Sequence, residues 1–197
     1  MTEEEAIYIL EKHGWNCGAD EVGDRFCTFN VDDKVVRIFP TIGKRSDHFR
    51  VTFMPSISSK QFSEVISFIY GEGVKHDPVI VSNELPEKLA EFSANDVLRL
   101  SEKAISWAHA QSLETGLTIY RNLPTDAKGA MPLRHLAALA IAGELNRLEL
   151  YRKSFEQGDR LGFVPYITTE MLDRAIAIAQ KHSGRAGGKG GSGTDHG

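Results

Sequence analysis

No run of apolar residues in this chain approaches the 18 or more that a membrane-spanning helix needs. The opening residues, MTEEEAIYIL, carry three acids where a secretory signal would carry positive charge. The sequence therefore predicts a cytoplasmic protein without a membrane anchor. Cysteine is scarce: there are two, Cys17 and Cys27, ten residues apart and outside any C-x-x-C pair. Two do not make a disulfide framework, so they read as reduced thiols, although both flank predicted strands and a bridge between them is geometrically open. An excess of one charge is missing too. With 23 basic and 27 acidic residues the net charge is −4, which cannot supply the dense phosphate neutralisation on which nucleic-acid binding depends.

Motifs that carry chemistry are also absent. The chain has no G-x-S-x-G elbow, H-E-x-x-H pair, EF-hand loop or kinase signature. The glycine cluster GRAGGKGG lacks the spacing of a phosphate loop, and no strand precedes it. Seven histidines include no H-x-H or H-x-x-x-H pair, so neither a metal site nor a cofactor is expected. In SDHF, Ser46, Asp47 and His48 are adjacent, whereas catalytic triads assemble from separate segments. That stretch reads as a polar turn. Lys44, Arg45 and Arg50 gather around the same turn, where a solvated hairpin is the simpler reading and a small anion patch the alternative.

What is present is an ordinary globular composition, 41% hydrophobic and 25% charged. A chain of this length buries roughly 70% of its unfolded surface on folding, enough for a core without metal or disulfide. Thr2 and Glu5 form a capping box ahead of the stripe Ala6, Ile9, Leu10, and Gly14 supplies a stop. Three strands follow, DRFCTFNV, KVVRIFP and HFRVTFM, and their short connections predict a three-stranded antiparallel meander. The segment 58–70, with Phe62, Val65, Ile66 and Ile69 on one stripe, is the helix expected to cover it. PVIVS is a candidate short fourth strand, placed at an edge by Pro78.

From Ser93 the period turns helical. A helix is expected from Ser93 and Asp96 to about Thr115, a long one over 133–155, and a last one capped by Thr168 or Thr169. Early strands and late helices define an α+β fold with a mainly helical C-terminal half. The expected organisation is one compact domain over 1–182, with 1–85 and 93–182 as sub-units. The Gly-rich tail 183–197 cannot bury anything and is expected to be disordered.

One residue interrupts the long helix. Glu144 falls at the centre of the stripe formed by Leu133, Ala137, Ala140, Ile141, Leu148, Tyr151 and Phe155. A carboxylate there must be paired, protonated or near the surface. Arg147 is its i,i+3 partner candidate, and Gln111 and Thr115 are placed to hydrogen-bond to it if the two helix faces meet. The structural expectation is an ion pair where a central helix leaves the core. Glu144, Arg147 and Gln111 are the candidate binding residues, and no residue is assigned a catalytic role.

The order helix, three strands, helix, in EEAIYILEKHGW, FCTFNV, VVRIFP, FRVTFM and QFSEVISFIY, resembles the opening of the type III secretion chaperones. The likeness covers about 70 residues and rests on element order and size. It implies a small, acidic, dimeric α+β protein that holds an unfolded segment of another protein. In that family a second pair of strands should follow, and this sequence offers only PVIVS before a helical half which that family lacks. Two functions remain. One is a non-catalytic protein-binding module, such as a toxin-neutralising immunity protein or a secretion-chaperone-like protein, with another protein as partner and a homodimer open. The other is a small-substrate enzyme using Glu144 as general acid or base.

Overall fold

A computed structural model describes residues 1–73 and 75–186. Its contacts gather into two compact units, each built from two stretches of chain. Met1–Lys60 and Pro78–Leu113 make a sheet-bearing unit, and Gln61–Asp77 with the residues from Glu114 onward make a helical unit. The fold is α+β with a helical C-terminal half. No helix among the described residues is long and apolar enough to cross a membrane.

The sheet-bearing unit opens with α1 (Glu3–Lys12). Thr2 Oγ1 accepts from the Glu5 N–H at 3.2 Å, and the Glu5 carboxylate accepts from the Thr2 N–H at 2.8 Å. Six strands follow: β1 (Asn16–Ala19), β2 (Arg25–Val31), β3 (Lys34–Ile38), β4 (Thr41–Lys44), β5 (Phe49–Thr52) and β6 (Ser56–Ser58). After the segment belonging to the other unit come β7 (Ile80–Val81), β8 (Glu87–Leu89) and α3 (Ala94–Ala110). They form a five-stranded sheet, β1-β2-β3-β6-β7, and a three-stranded one, β4-β5-β8.

The strands are thus distributed differently from a three-stranded meander. β3 pairs with β6 rather than β5, because TIGK, whose glycine and lysine read as turn, forms a hairpin with β5 instead. The helices packed with this sheet are α1 and α3. They bury Ala6, Ile7, Leu10, Val97, Leu100 and Ala104 in one core with Cys27, Val36, Ile38 and Ile57. Helix α3 is capped at both ends. The Ser93 N–H and hydroxyl donate to Asp96, and the Lys34 ammonium donates to the carbonyls of Ala108 and Gln111 at the negative end of the helix dipole.

The expectation of two free thiols is overturned: Cys17 and Cys27 form a disulfide. The reason lies in register. The Asp20 carboxylate accepts from the N–H groups of Val22 and Asp24, fixing a tight turn. That turn sets β1 against β2 with Cys17 directly opposite Cys27, their Cα atoms 4.0 Å apart.

The helical unit contains α2 (Lys60–Tyr70), except for its first residue, and α4 (Leu113–Arg121) from its second. It also holds α5 (Met131–Ala142), α6 (Leu145–Glu156) and α7 (Thr169–Ala186). Helix α2, expected over the strands, takes its contacts in this unit. Its Phe62 ring stacks on Tyr120, with ring centroids 5.8 Å apart. The Arg174 guanidinium, on α7, donates to the Ile69 and Phe68 carbonyls at the C-terminus of α2. Gly71 follows at φ +89°, where a Cβ would stand 2.7 Å from that guanidinium.

Two expected helices are each divided. The one from Ser93 ends at Ala110, and Gly116 lies inside α4 rather than breaking a longer helix. The one over 133–155 is two helices. The break is at Gly143, which is left-handed at φ +70° and receives a hydrogen bond from the Ser183 hydroxyl. Helix α7 extends through 183–186, part of the segment read as tail; residues 187–197 lie outside the described residues.

Candidate functional site

Breaking the helix at Gly143 moves Glu144 from the middle of a stripe to the first position before α6. The side chain is 40% exposed, and its carboxylate lies 3.9 Å from the Arg147 guanidinium. Gly143, Glu144, Leu145, Asn146, Arg147 and Ser183 line an open cleft of about 430 Å³. Glu144 and Arg147 are therefore brought together. Gln111 belongs to the sheet-bearing unit, where its amide donates to the Trp107 carbonyl.

Behind Arg147 lies a polar chain that the spacing of residues did not reveal. The Arg147 Nε–H donates to the Tyr151 hydroxyl oxygen at 2.8 Å, and Nη1 donates to the Arg121 carbonyl at 2.9 Å. Tyr151 stands 3.1 Å from His135 Nε2, and His135 Nδ1 stands 2.8 Å from the Tyr120 carbonyl. A carbonyl only accepts, so Nδ1 carries the proton and Nε2 accepts from Tyr151. His135 is fully buried on α5, and burial holds its pKa below the ordinary histidine value. The imidazole is thus neutral, oriented at both nitrogens and closed off by Tyr151. The link to His135 depends on how α5 folds back on α6.

Chemically, this arrangement fastens α4, α5 and α6 together around the helix break. The cleft beside it pairs one carboxylate with one guanidinium. Among the described residues, no group of three or more His, Cys, Asp or Glu side chains is placed to hold a metal ion.

A larger cleft lies in the sheet-bearing unit. Met1, Glu4, Glu5, Tyr8, Ile9 and Phe92 line a groove of about 620 Å³ along α1. Its floor is apolar. Phe92 is buried and packs on Phe49, with ring centroids 6.2 Å apart, while Tyr8 is 59% exposed. Glu4 and Glu5, in the first turn of α1 at the positive helix end, give the groove a negative rim.

Residues 2–180 match a family described as a family of unknown function (DUF6990). The chain belongs to that family. No curated protein and no solved structure matches the chain, so for this member of the family the functional argument rests on its own surfaces.

Proposed function

We propose that this member of the family is a non-catalytic protein-binding module, and that its partner lies in the groove along α1. The observation that carries the reading is an open apolar floor, with Tyr8 and Ile9 above Phe92, under a rim of glutamates. Tyr8 is 59% exposed beside a floor of Ile9 and Phe92, which gives a partner an apolar anchor point. The fitting occupant is a segment of another protein that places apolar side chains on the floor and basic ones against Glu4 and Glu5.

A photo-crosslinking residue in place of Tyr8, compared with one at exposed Lys128, tests this in the native cell. A discrete adduct from position 8, absent from position 128 and lost on Glu4→Lys, is the expected result. No adduct, or the same adducts from both positions, overturns the reading. An adduct of twice the chain mass makes a second copy the occupant and overturns a foreign partner.

Cytoplasmic residence is part of this proposal, and the Cys17–Cys27 bridge weighs against it, because disulfides persist mainly in oxidising compartments. Trapping thiols in intact cells decides the matter: two modified cysteines keep the protein in the cytoplasm, and none removes it.

A further inference from the structure

We infer that the outer face of the β4-β5-β8 sheet binds a phosphate-type oxyanion. The pairing register places Thr41 opposite Thr52, Gly43 opposite Arg50, and Arg50 opposite Lys88. The Arg45 N–H donates to the His48 carbonyl, which extends the same pairing by one step. Side chains alternate between the faces of a strand. One face therefore carries Ile42, Phe49, Val51 and Leu89, which pack into the core. The other carries Arg45, Arg50 and Lys88, all exposed.

Like charges directly across a strand pair repel, and here the repulsion is not relieved from within. None of the three cations has an ion pair among the described residues. Asp47, two residues from Arg45, is engaged with His48 at 2.7 Å, and Glu87, next to Lys88 but on the opposite face, with Arg99 and Lys103. The chain as a whole is acidic, so this face is not a sample of a generally basic surface. Bound anion would turn the mutual repulsion into shared attraction.

The face also has a seat. Thr41, Gly43, Arg45, Arg50, Thr52 and Pro86 line a hollow of about 210 Å³, with Gly43 leaving the floor free of side chain. Thr52 Oγ1 accepts from the Met54 N–H, so its hydroxyl proton is available to a ligand. A carboxylate offers two oxygens and one charge. The two guanidiniums and the hydroxyl beside the hollow, with the Lys88 ammonium across from Arg50 on the same face, instead suit a group with three acceptor oxygens and two charges, since arginine binds phosphate through paired hydrogen bonds. Such a group comes from a soluble phosphate compound or a phosphorylated lipid headgroup.

The test uses the full chain and inorganic pyrophosphate at constant ionic strength, read by the amide resonances of Thr41, Gly43 and Thr52. A parallel arm measures sedimentation with phosphatidylcholine vesicles, with and without phosphatidylinositol phosphate. Saturable shifts at these amides are expected. They should weaken about tenfold or more in the Arg50→Ala/Lys88→Ala double variant and remain in Lys128→Ala. Because all three side chains are exposed, an unchanged melting temperature confirms that the double variant is folded. Vesicle binding reversed by pyrophosphate assigns a lipid source, and pyrophosphate binding without vesicle binding assigns a soluble one. If neither ligand binds saturably, or the double variant binds as tightly as the parent, the inference is wrong.

Discussion

In the helical unit, buried His135 has both ring nitrogens engaged, Tyr151 both accepts and donates, and Arg147 divides its donors among Tyr151, Arg121 and Glu144. In the sheet-bearing unit, Arg45, Arg50 and Lys88 share one exposed face with no ion pair among the described residues, and a groove beside α1 leaves Tyr8 open to solvent. The first pattern is what stability demands, because a buried polar group left unpaired costs about 1–3 kcal/mol. The second is what binding demands, because unpaired exposed charge and apolar surface contribute little to the fold and remain available to a partner. The contrast teaches where to look: the sequence-level suspect, Glu144, sits beside a network whose buried groups, His135 and Tyr151, are paired with one another and with Arg147.

The sharpest way to break this comparison is to remove core from one unit and charge from the other. Leu136 on α5 is fully buried, so Leu136→Ala should lower unfolding free energy by about 2–5 kcal/mol in urea denaturation. Arg50→Ala on the sheet face should change it by no more than about 0.5 kcal/mol in either direction. A large loss from Arg50→Ala would mean that this side chain holds the fold and is not free for a ligand.

The next largest effect belongs to the disulfide. It closes a loop of ten residues, so reduction should cost about 2–3 kcal/mol by loop-closure entropy. A melting curve with and without dithiothreitol reads it directly. An unchanged curve would mean that the hairpin register is held by the Asp20 turn without help from the bridge.

In the helical unit, Tyr151→Phe takes a donor from His135 and an acceptor from Arg147 while keeping the ring. It should cost about 1–3 kcal/mol. The same network predicts a pH response. His135 is held neutral by burial, so below its unfolded value of about 6.5 the unfolded chain binds more protons than the folded one. Its contribution to stability is therefore complete above that pH and is lost as pH falls through the lower folded-state value. An NMR titration should show the His135 ring protonating below the ordinary histidine value of about 6.5. Protonation at or above 6.5 would contradict the closed network.

Much of the local structure was legible because its causes are local. Both capping bonds at Thr2 and Glu5 form, and β2, β3 and β5 lie where the alternating residues put them. What escaped depends on distant partners. The apolar stripe runs unbroken past Gly143, and only the approach of Ser183 from α7 shows why the chain turns there. TIGK becomes a strand because 49–52 lies opposite it. The two cysteines become a bridge because the Asp20 turn fixes their register. At the candidate site, Arg147 was legible as the neighbour of Glu144 by helical spacing. Tyr151 and His135 were not connected to it, since sixteen residues and a helix break separate them.

The smallest predicted effect is also the most discriminating one for Glu144. Its contact with Arg147 is long, at 3.9 Å, and more than a third of each side chain is exposed. Exposed pairs of this kind are worth about 0–1 kcal/mol. Glu144→Gln keeps the shape and removes the charge, so unfolding free energy should change by less than about 0.5 kcal/mol, with the Tyr151 and His135 bonds intact. Arg147→Ala, by contrast, strips the donors from Tyr151 and from the Arg121 carbonyl, and should cost more than Glu144→Gln. If the carboxylate is the costlier loss, Glu144 is doing more than closing a rim, and the cleft beside it regains its claim as the working site.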